Sequence, residues 1–408
     1  MYNTFDVPAR SGDATAPASI IGKAVTGRDF FGRDQELADL GKAVGSQHVM
    51  MLAPRRTGKT SLMLALTAQE QARGQATSVY ASVAEAATEL DFVRTVLHAA
   101  YETEEGKSLR PGWFESWRQR RKSRVKKVEV AGTSVELDGI DPPWQQMAEE
   151  GFRKLMSSAR PWLILIDELP ALVLALAQQD PSGARVRAFL HWFRNLRQLP
   201  AAEKSLRFVL AGSIGLDAVT RRYDAAESLS DLMDWRLGPF DRGTAERFVT
   251  SLAEAQGMLL VPAVQQRLLE ETEWLIPFHL QVLVCELVRC KRSLIPRLED
   301  VDAAVEAALC HKLYFATWNE RLHEVFGRAD AEVARRVLTA CAHPARGATS
   351  STLQTMLAHA FPDPVERSDK QRWIMDVLEN DGYLEPTSEQ RWRFRSALLR
   401  RYWQRRFS

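Results

Sequence analysis

Short apolar runs alternate with helical patterns over the first 240 residues of the chain. Five of these runs predict strands, at 48–52, 77–83, 161–168, 207–213 and 235–240. Most are continuously apolar, which is typical of strands buried on both faces of a parallel sheet. Because helical patterns separate the strands, residues 26–240 are expected to form an α/β parallel-sheet core. Residues 1–25 are rich in Ala, Ser, Gly and Pro and predict a flexible N-terminal segment.

The pattern changes twice beyond this core. Residues 241–310 carry only helical periodicity and predict a helical lid. In 311–408, two or three short helices precede an apolar segment around Tyr383, a polar turn and an aromatic segment around Trp392. Helices followed by a two-stranded ribbon predict a winged-helix domain.

Composition excludes several classes of protein. The chain has 408 residues, 45% of them apolar, and a net charge of +2. We see no uninterrupted apolar stretch of about 18 residues and no signal-peptide pattern, so we expect a cytoplasmic protein without a membrane span. The four cysteines lack the CxxC spacing of metal sites, which favours buried reduced thiols.

A phosphate-binding loop is predicted between the first strand and the helix that follows it. A strand, a tight loop and a helix N-terminus together direct backbone N–H groups at an anion. Lys59 is expected to reach the β- and γ-phosphates, and Thr60 to bind Mg²⁺. Ala53 stands where such loops usually begin with glycine. The predicted nucleotide-binding residues of this segment are Pro54, Arg55, Arg56, Thr57, Gly58, Lys59, Thr60 and Ser61.

Two acids end the third predicted strand and complement this loop. Asp167 is expected to complete the Mg²⁺ shell, and Glu168 to polarise the water that attacks the γ-phosphate. The alternative is a structural acid pair at a helix N-terminus, stabilised by the helix dipole.

Other candidates carry weaker signals. Ser213 ends the fourth strand, where it would either hydrogen-bond the attacking water or γ-phosphate, or cap a helix. Gly32 and Arg33 precede a helix with Asp34 as its expected N-cap, and Arg33 would contact the nucleotide or solvent.

His279 would face the nucleotide or pack in the core. Three arginines are possible donors of transition-state charge: Arg221, Arg222 and Arg236.

Two basic segments leave the partner open. Residues 107–127 hold nine Lys or Arg, and a hairpin is expected at 127–137. Residues 391–408 hold seven arginines interleaved with aromatic residues. The first segment would form a DNA-facing loop, an oligomer contact or an exposed helix. The second fits contact with a nucleic-acid backbone, but also the solvated face of a packed terminal helix.

Taken together, the motifs resemble the prokaryotic AAA+-related ATPases. The similarity is greatest to the archaeal-ATPase branch of the signal-transduction ATPases with numerous domains (STAND), and weaker to origin-recognition-type ATPases. The segments that carry it are Phe31-Gly32-Arg33, Glu36-Leu37, Arg55-Arg56-Thr57-Gly58-Lys59-Thr60-Ser61, Ile164-Leu165-Ile166-Asp167-Glu168, Ala211-Gly212-Ser213, Phe189-Leu190-His191-Trp192-Phe193-Arg194, Pro277-Phe278-His279-Leu280-Gln281 and Phe394-Arg395-Ser396-Ala397-Leu398-Leu399-Arg400.

The resemblance implies ATP and Mg²⁺ as ligands, slow hydrolysis, and a lid whose Pro277 motif touches the nucleotide. Three functions stay open on the sequence. The first is an ATP-dependent switch that reorients a C-terminal winged helix. The second is an ATP-regulated DNA-binding protein of replication, transposition or defence. The third is a signalling adaptor that binds a protein partner or forms a homo-oligomer.

Overall fold

A computed structural model describes residues 21–125, 143–212, 216–311, 313–343 and 346–407. Its first half is an α/β core, followed by a helical region and a C-terminal region with a small sheet of its own. The hairpin expected at 127–137 and Ser213 lie outside the described residues. No helix among the described residues is long and apolar enough to cross a lipid bilayer.

Five parallel strands form the central sheet in the order β2-β3-β4-β1-β5. The strands are β1 (Val49–Leu52), β2 (Thr77–Ser82), β3 (Trp162–Asp167), β4 (Leu206–Gly212) and β5 (Met233–Arg236). The expected parallel sheet is therefore confirmed. The fifth strand was predicted too late, at 235–240, since the chain leaves the sheet after Arg236. Pro239, which has no N–H to donate, follows soon after.

Ten helices surround this sheet among the described residues, with short 3₁₀ segments at Gly27–Asp29 and Ala226–Leu229. They are α1 (Asp34–Ser46), α2 (Lys59–Arg73), α3 (Glu89–Tyr101), α4 (Glu104–Lys107), α5 (Gly112–Val125), α6 (Trp144–Met156), α7 (Leu169–Gln179), α8 (Ala184–Arg197), α9 (Pro200–Ser205) and α10 (Leu216–Arg222). Arg33, and not Asp34, occupies the N-cap of α1, so that expectation was wrong; Asp34 lies in the first turn, where its charge favours the helix dipole.

Alternate residues of each strand face opposite sides of the sheet, and in β1, β3 and β4 both sides are largely buried, whereas the edge strand β5 is mostly exposed. Leu163 and Leu165 of β3 pack with α1 and α2. Ile164 and Ile166 pack into the larger core on the other face. Burial on both faces explains why β1 and β3 are almost continuously apolar, and the parallel pairing places the carboxyl ends of the strands at one edge of the sheet.

The helical region consists of α11 (Arg242–Ala255), α12 (Pro262–Thr272), α13 (Pro277–Cys290) and α14 (Leu298–Cys310). As the helical periodicity predicted, no strand occurs among residues 242–310, all of which the structure describes. The segment that follows β5 joins the core to this region through a backbone hydrogen bond from Phe240 N to Leu275 O.

The C-terminal region contains α15 (Ala316–Ala342), β6 (Ala348–Thr349), α16 (Ser350–Ala360), α17 (Pro364–Asn380), β7 (Leu384–Pro386), β8 (Arg391–Phe394) and α18 (Ala397–Phe407). Its strands form an antiparallel sheet in the order β6-β8-β7. The two-residue β6 was not predicted, because it is too short to show a period. Gly327, at φ 70°, interrupts α15, which explains why the pattern indicated shorter helices. The winged-helix assignment and the domain boundaries stay predictions.

The C-terminal region packs directly on the core. Arg221 of α10 lies 3.1 Å from Asp376 of α17, and the Arg222 guanidinium lies 4.9 Å from the ring centre of Trp373. Arg55 of the phosphate-binding loop donates to Thr317 O at 3.3 Å. Two arginines considered as charge donors to a nucleotide therefore contact the C-terminal region instead.

Candidate functional site

The loop between β1 and α2 has a backbone suited to surrounding an anion. Gly58 is the N-cap of α2 in the left-handed region, at φ 97°, and Thr57 Oγ1 donates to Pro54 O at 2.8 Å, which holds the loop closed. Helix α2 begins at Lys59, so its first N–H groups have no partner within the helix and point into the space that the loop surrounds. Ala53 does not have a positive φ, so alanine meets no strain at the position of the usual glycine.

Lys59 lies between the two acids that end β3. Its Nζ is 2.6 Å from Asp167 Oδ1 and 2.9 Å from Glu168 Oε1. Residues more than one hundred positions apart are brought together because β1 and β3 both end at this edge of the sheet. The loop and the acid pair thus form a single charged site, as the sequence predicted.

Asp167 is held by four donors. Lys59 Nζ and the Glu168 N–H bind its Oδ1, while Thr60 Oγ1 at 2.8 Å and Tyr80 Oη at 3.0 Å bind its Oδ2. Burial and the neighbouring Asp167 charge raise the pKa of Tyr80, so its hydroxyl stays a neutral donor. These donors satisfy both oxygens of a carboxylate that is only 2% exposed.

Glu168 adopts a left-handed conformation with φ 60° at the N-cap of α7. A non-glycine residue in this region is strained, and such strain is often found where a side chain must be aimed. The carboxylate of Glu168 faces the cavity that the phosphate-binding loop lines.

The oxygen set at this site fits Mg²⁺. Asp167 and the Thr60 hydroxyl offer the hard oxygen ligands that this ion prefers, and protein Mg²⁺ sites of this kind use one or two carboxylates plus substrate phosphates. Among the described residues no group of three His, Cys, Asp or Glu side chains is arranged to hold a metal alone. The donor set therefore suits a metal that arrives with a phosphate ligand.

A cavity of about 380 Å³ opens above the loop, within the size range of small-molecule sites. The predicted site residues that line it are Pro54, Arg55, Arg56, Gly58, Lys59, Thr60, Ser61, Glu168 and Pro277. Asp167 lies just behind this wall, bonded to Lys59 and Thr60.

Gly32, Arg33 and Thr57 lie outside the wall. Arg33 donates to Thr57 O at 3.2 Å and to Gly238 O at 2.7 Å, and its guanidinium lies 4.4 Å from the ring centre of Phe240. Burial lowers the pKa of Arg33, although the hydrogen bond and the charge of Glu36 act in the opposite direction. Arg33 therefore braces the phosphate-binding loop against the segment that leads into α11, where the sequence suggested a nucleotide or solvent contact.

Part of the cavity wall was missed by sequence reasoning. Residues 22–25 lie across the loop, where Val25 N donates to Ser61 Oγ at 3.0 Å and Arg56 Nη1 donates to Gly22 O at 3.1 Å. Phe278 and Gln281 of α13 complete the wall, and the Arg56 guanidinium lies 4.6 Å from the Phe278 ring centre. The segment before residue 26 has no periodicity, so no signal indicated these contacts.

His279 is part of the core. It is fully buried, its Nδ1 lies 3.3 Å from Ser396 Oγ, and burial lowers its pKa to about 3. The histidine is therefore neutral and joins α13 to the C-terminal region, which agrees with the packing interpretation.

Arginines near the C-terminus make contacts within the chain. Arg393 lies 3.2 Å from Glu273, Arg401 lies 2.6 Å from Glu271, and Arg405 lies 2.9 Å from Glu306. Arg391 and Arg395 donate to backbone carbonyls. The first three of these side chains join the C-terminal region to the helical region: Arg401 contacts α12, Arg405 contacts α14, and Arg393 contacts the residue that follows α12. In this conformation they serve an internal interface.

The chain matches no protein-family model and no curated protein. Among solved structures, the Walker-type ATPase PABY2304 of Pyrococcus abyssi is similar with a TM-score of 0.64 and 15% identity, over 95% of this chain and 99% of that chain. The Aeropyrum pernix ORC1 protein in complex with DNA has a TM-score of 0.44 and 13% identity, over 92% and 93%. Thermotoga maritima RuvB has a TM-score of 0.44 and 12% identity, over 90% and 93%. The first of these likenesses shows that the chain shares its fold with that ATPase over nearly its whole length.

Proposed function

We propose that this protein binds ATP with Mg²⁺ between the phosphate-binding loop and the lid, and hydrolyses it slowly. The observation that carries the proposal is the convergence of Lys59, Thr60, Asp167 and Glu168 at one end of the sheet. A lysine, a hydroxyl and two acids at a glycine-containing loop are the parts that phosphoryl transfer requires.

Each of these side chains has a distinct task in the proposed reaction. Lys59 neutralises the β- and γ-phosphates. To do so, its ammonium group leaves the carboxylates of Asp167 and Glu168 and binds the phosphate oxygens. Thr60 and Asp167 would hold Mg²⁺, which when bound supplies charge to the phosphate oxygens. Glu168 orients the attacking water and accepts its proton. Pro277 and Phe278 cover the site from the lid, and residues 22–25 cover it from the N-terminal side.

We further propose that nucleotide state is read by the C-terminal region, which makes the protein a switch. Its support is direct contact: Arg55 reaches Thr317, and α10 packs on α17 through Arg221 and Arg222. A ligand shifts such an equilibrium only through different contacts in the two states. The phosphate-binding loop is where those contacts would differ.

This arrangement favours a switch over the DNA-binding alternative. Helix α17, which precedes the β7–β8 hairpin and would be the recognition helix of a winged helix, packs on α10. The nearby arginines make internal ion pairs. Contact with DNA would first require this region to leave the core. A protein partner or a homo-oligomer stays a prediction.

The test is equilibrium binding of ATP with and without Mg²⁺. Lys59→Ala is expected to weaken ATP binding at least about 100-fold, since it removes a charge-assisted phosphate contact and leaves two acids facing the phosphates. Lys42→Ala is the matched control, because Lys42 is an exposed lysine on α1. Equal affinity in wild type and Lys59→Ala would refute the site.

Hydrolysis is tested separately with Glu168→Gln. This variant is expected to bind ATP while its turnover falls by about 10²- to 10⁴-fold, the usual contribution of a general base. Unchanged turnover would show that Glu168 is not the base.

A further inference from the structure

The phosphate-binding loop and the first residue of α2 present three cations to the cavity above the loop, and each cation has a different partner. Lys59 lies between the two acids that end β3. The guanidinium of Arg56 lies 4.6 Å from the ring centre of Phe278 in the lid. Arg55 donates to Thr317 O, in the first turn of α15. Arg55 therefore joins the cavity directly to the C-terminal region.

The present partner of Arg55 is an uncharged acceptor. The hydrogen bond to Thr317 O is 3.3 Å long, which exceeds the usual N–H···O distance of about 2.9–3.0 Å. A guanidinium can bind a phosphate through two parallel N–H···O bonds, and both groups are then charged. A phosphate in the cavity is therefore a stronger acceptor for Arg55 than the backbone carbonyl.

Thr317 belongs to a well-packed part of the C-terminal region. The residue after it, Trp318, is 1% exposed, and its carbonyl accepts a hydrogen bond from the hydroxyl of the fully buried Tyr383. The ring centres of Trp318 and Tyr383 lie 4.9 Å apart. Tyr383 follows the turn at 381–382, where α17 ends. The first turn of α15 and the turn after α17 therefore form one packed unit.

The turn after α17 approaches the phosphate-binding loop at Pro54. Gly382 has φ 84°, and a Cβ on it would lie 2.9 Å from Pro54 Cβ and 2.4 Å from Trp274 Cη2, so glycine is what allows the approach. Pro54 and Arg55 are neighbours in the loop, and both face the same packed unit. A movement of Arg55 into the cavity therefore acts where the loop and the C-terminal region are closest.

The same turn contains a buried acid that depends on nearby cations. Asp381 is only 1% exposed, and the Nε of Arg321 on α15 lies 3.8 Å from its Oδ2. Burial raises the pKa of Asp381 to about 7, although the charges of Arg321 and Arg55 oppose this rise. If the charge of Arg55 moves away, Asp381 is less well compensated. This acts in the same direction as the loss of the hydrogen bond to Thr317 O.

We propose that a bound nucleoside triphosphate draws Arg55 from Thr317 O to its phosphates, and that this loosens the contact of the C-terminal region with the core. The inference rests on the proposed function, since it names the residue and the direction by which nucleotide state reaches that region. Without nucleotide, Arg55 retains the first turn of α15. With nucleotide, the contacts between α10 and α17 stay, and those at the loop weaken. The two states then differ in contacts that the phosphates themselves replace, as a ligand-driven shift requires.

The experiment measures hydrogen exchange of the backbone amides at 316–322 and 381–384, with and without the non-hydrolysable ATP analogue AMP-PNP and Mg²⁺. The rate of exchange reports how readily each segment opens. In wild type, saturating AMP-PNP is expected to speed exchange in both segments by about 5-fold or more, the lower end of the usual coupling between sites. In Arg55→Gln, exchange is expected to be faster than in wild type before AMP-PNP is added, and AMP-PNP is expected to change it by less than about 2-fold. Saturation is checked with the Kd measured for each protein.

Asp376→Asn is the matched control, because it removes an acid from the same interface, at the contact with Arg221, and leaves Arg55 in place. Its exchange is expected to respond to AMP-PNP as wild type does. A full response in Arg55→Gln would assign the coupling to another contact and overturn the inference. So would unchanged or slower exchange in wild type with AMP-PNP bound, whether or not Arg55→Gln folds, and ATP binding itself would then stand. Failure of wild type to bind AMP-PNP would instead refute the proposed function, and the inference with it.

Discussion

Two aspartates near the phosphate-binding loop are equally buried but differ in their hydrogen-bond donors. Asp167, 2% exposed, accepts from Lys59, Thr60, Tyr80 and the Glu168 N–H. Asp381, 1% exposed, accepts no hydrogen bond from the residues that the structure describes. Two acids with the same burial can therefore differ completely in how many hydrogen-bond donors surround them. The core surrounds its acid with fixed donors, whereas the interface with the C-terminal region leaves its acid with nearby charges alone.

The largest expected effect is on stability as a function of pH in Asp381→Asn. The folded-state pKa of Asp381, about 7, lies above the ordinary value of 3.8. The folded protein therefore holds a proton that the unfolded chain has lost, and stability falls as pH rises from about 4 to about 7. Asparagine removes this penalty, so the variant is expected to be more stable than wild type at pH 8, by up to about 4 kcal/mol at about 1.4 kcal/mol per pKa unit.

Urea unfolding of both proteins at pH 5 and pH 8 checks this expectation. The difference between them should be small at pH 5 and fully developed at pH 8, and Asp376→Asn should show no such growth. Arg321 keeps Glu324 as a partner in the variant, which limits the loss on the cationic side. A variant that is less stable than wild type at pH 8 would mean that Asp381 is compensated after all, and the contrast between the two aspartates would fail.

The same substitution at Asp167 is expected to have the opposite sign. Asp167→Asn weakens hydrogen bonds to a charged acceptor, each worth about 1.5–3 kcal/mol, so we expect destabilisation on that scale. It also removes a proposed Mg²⁺ ligand, and turnover should fall by at least about 100-fold, the scale of losing one group that stabilises transition-state charge. Urea unfolding and ATPase assays over a Mg²⁺ titration measure both effects. A stabilised Asp167→Asn protein with wild-type Mg²⁺ dependence would contradict the assignment.

The sequence was sufficient to predict the first of these aspartates but not the second. Lys59 and Asp167 belong to local patterns, an apolar strand that runs into a polar segment, and parallel strands bring such ends together wherever they occur in the chain. Asp381 has no such pattern, since it follows α17 as any helix-ending acid would. Its environment depends on Gly382 approaching Pro54, more than three hundred residues earlier. The same reason explains why residues 22–25 were missed as part of the cavity wall: their contacts are specific but aperiodic.

The smallest expected effect is at the interface between α18 and the lid. Arg401 is a partly exposed arginine that pairs with Glu271 and with Glu306, at 2.6 and 3.3 Å. Arg401→Ala is expected to destabilise the protein by about 0.2–1 kcal/mol, and the loss should shrink as salt screens the pairs. Urea unfolding at low and high salt measures this difference.

The DNA-binding alternative is tested by removing the acids instead of the arginine. The double variant Glu271→Gln/Glu306→Gln keeps Arg401 and Arg405 but removes the charges that they pair with. If these arginines serve only the lid, neither wild type nor this double variant binds duplex DNA at low salt. Binding by the variant alone, with log affinity falling by about 0.9 per log unit of salt for each phosphate contacted, would show that the internal ion pairs cover a nucleic-acid surface. In that case the same arginines would have two roles. They would join the C-terminal region to the lid in this conformation, and they would contact DNA once the C-terminal region had separated from the lid.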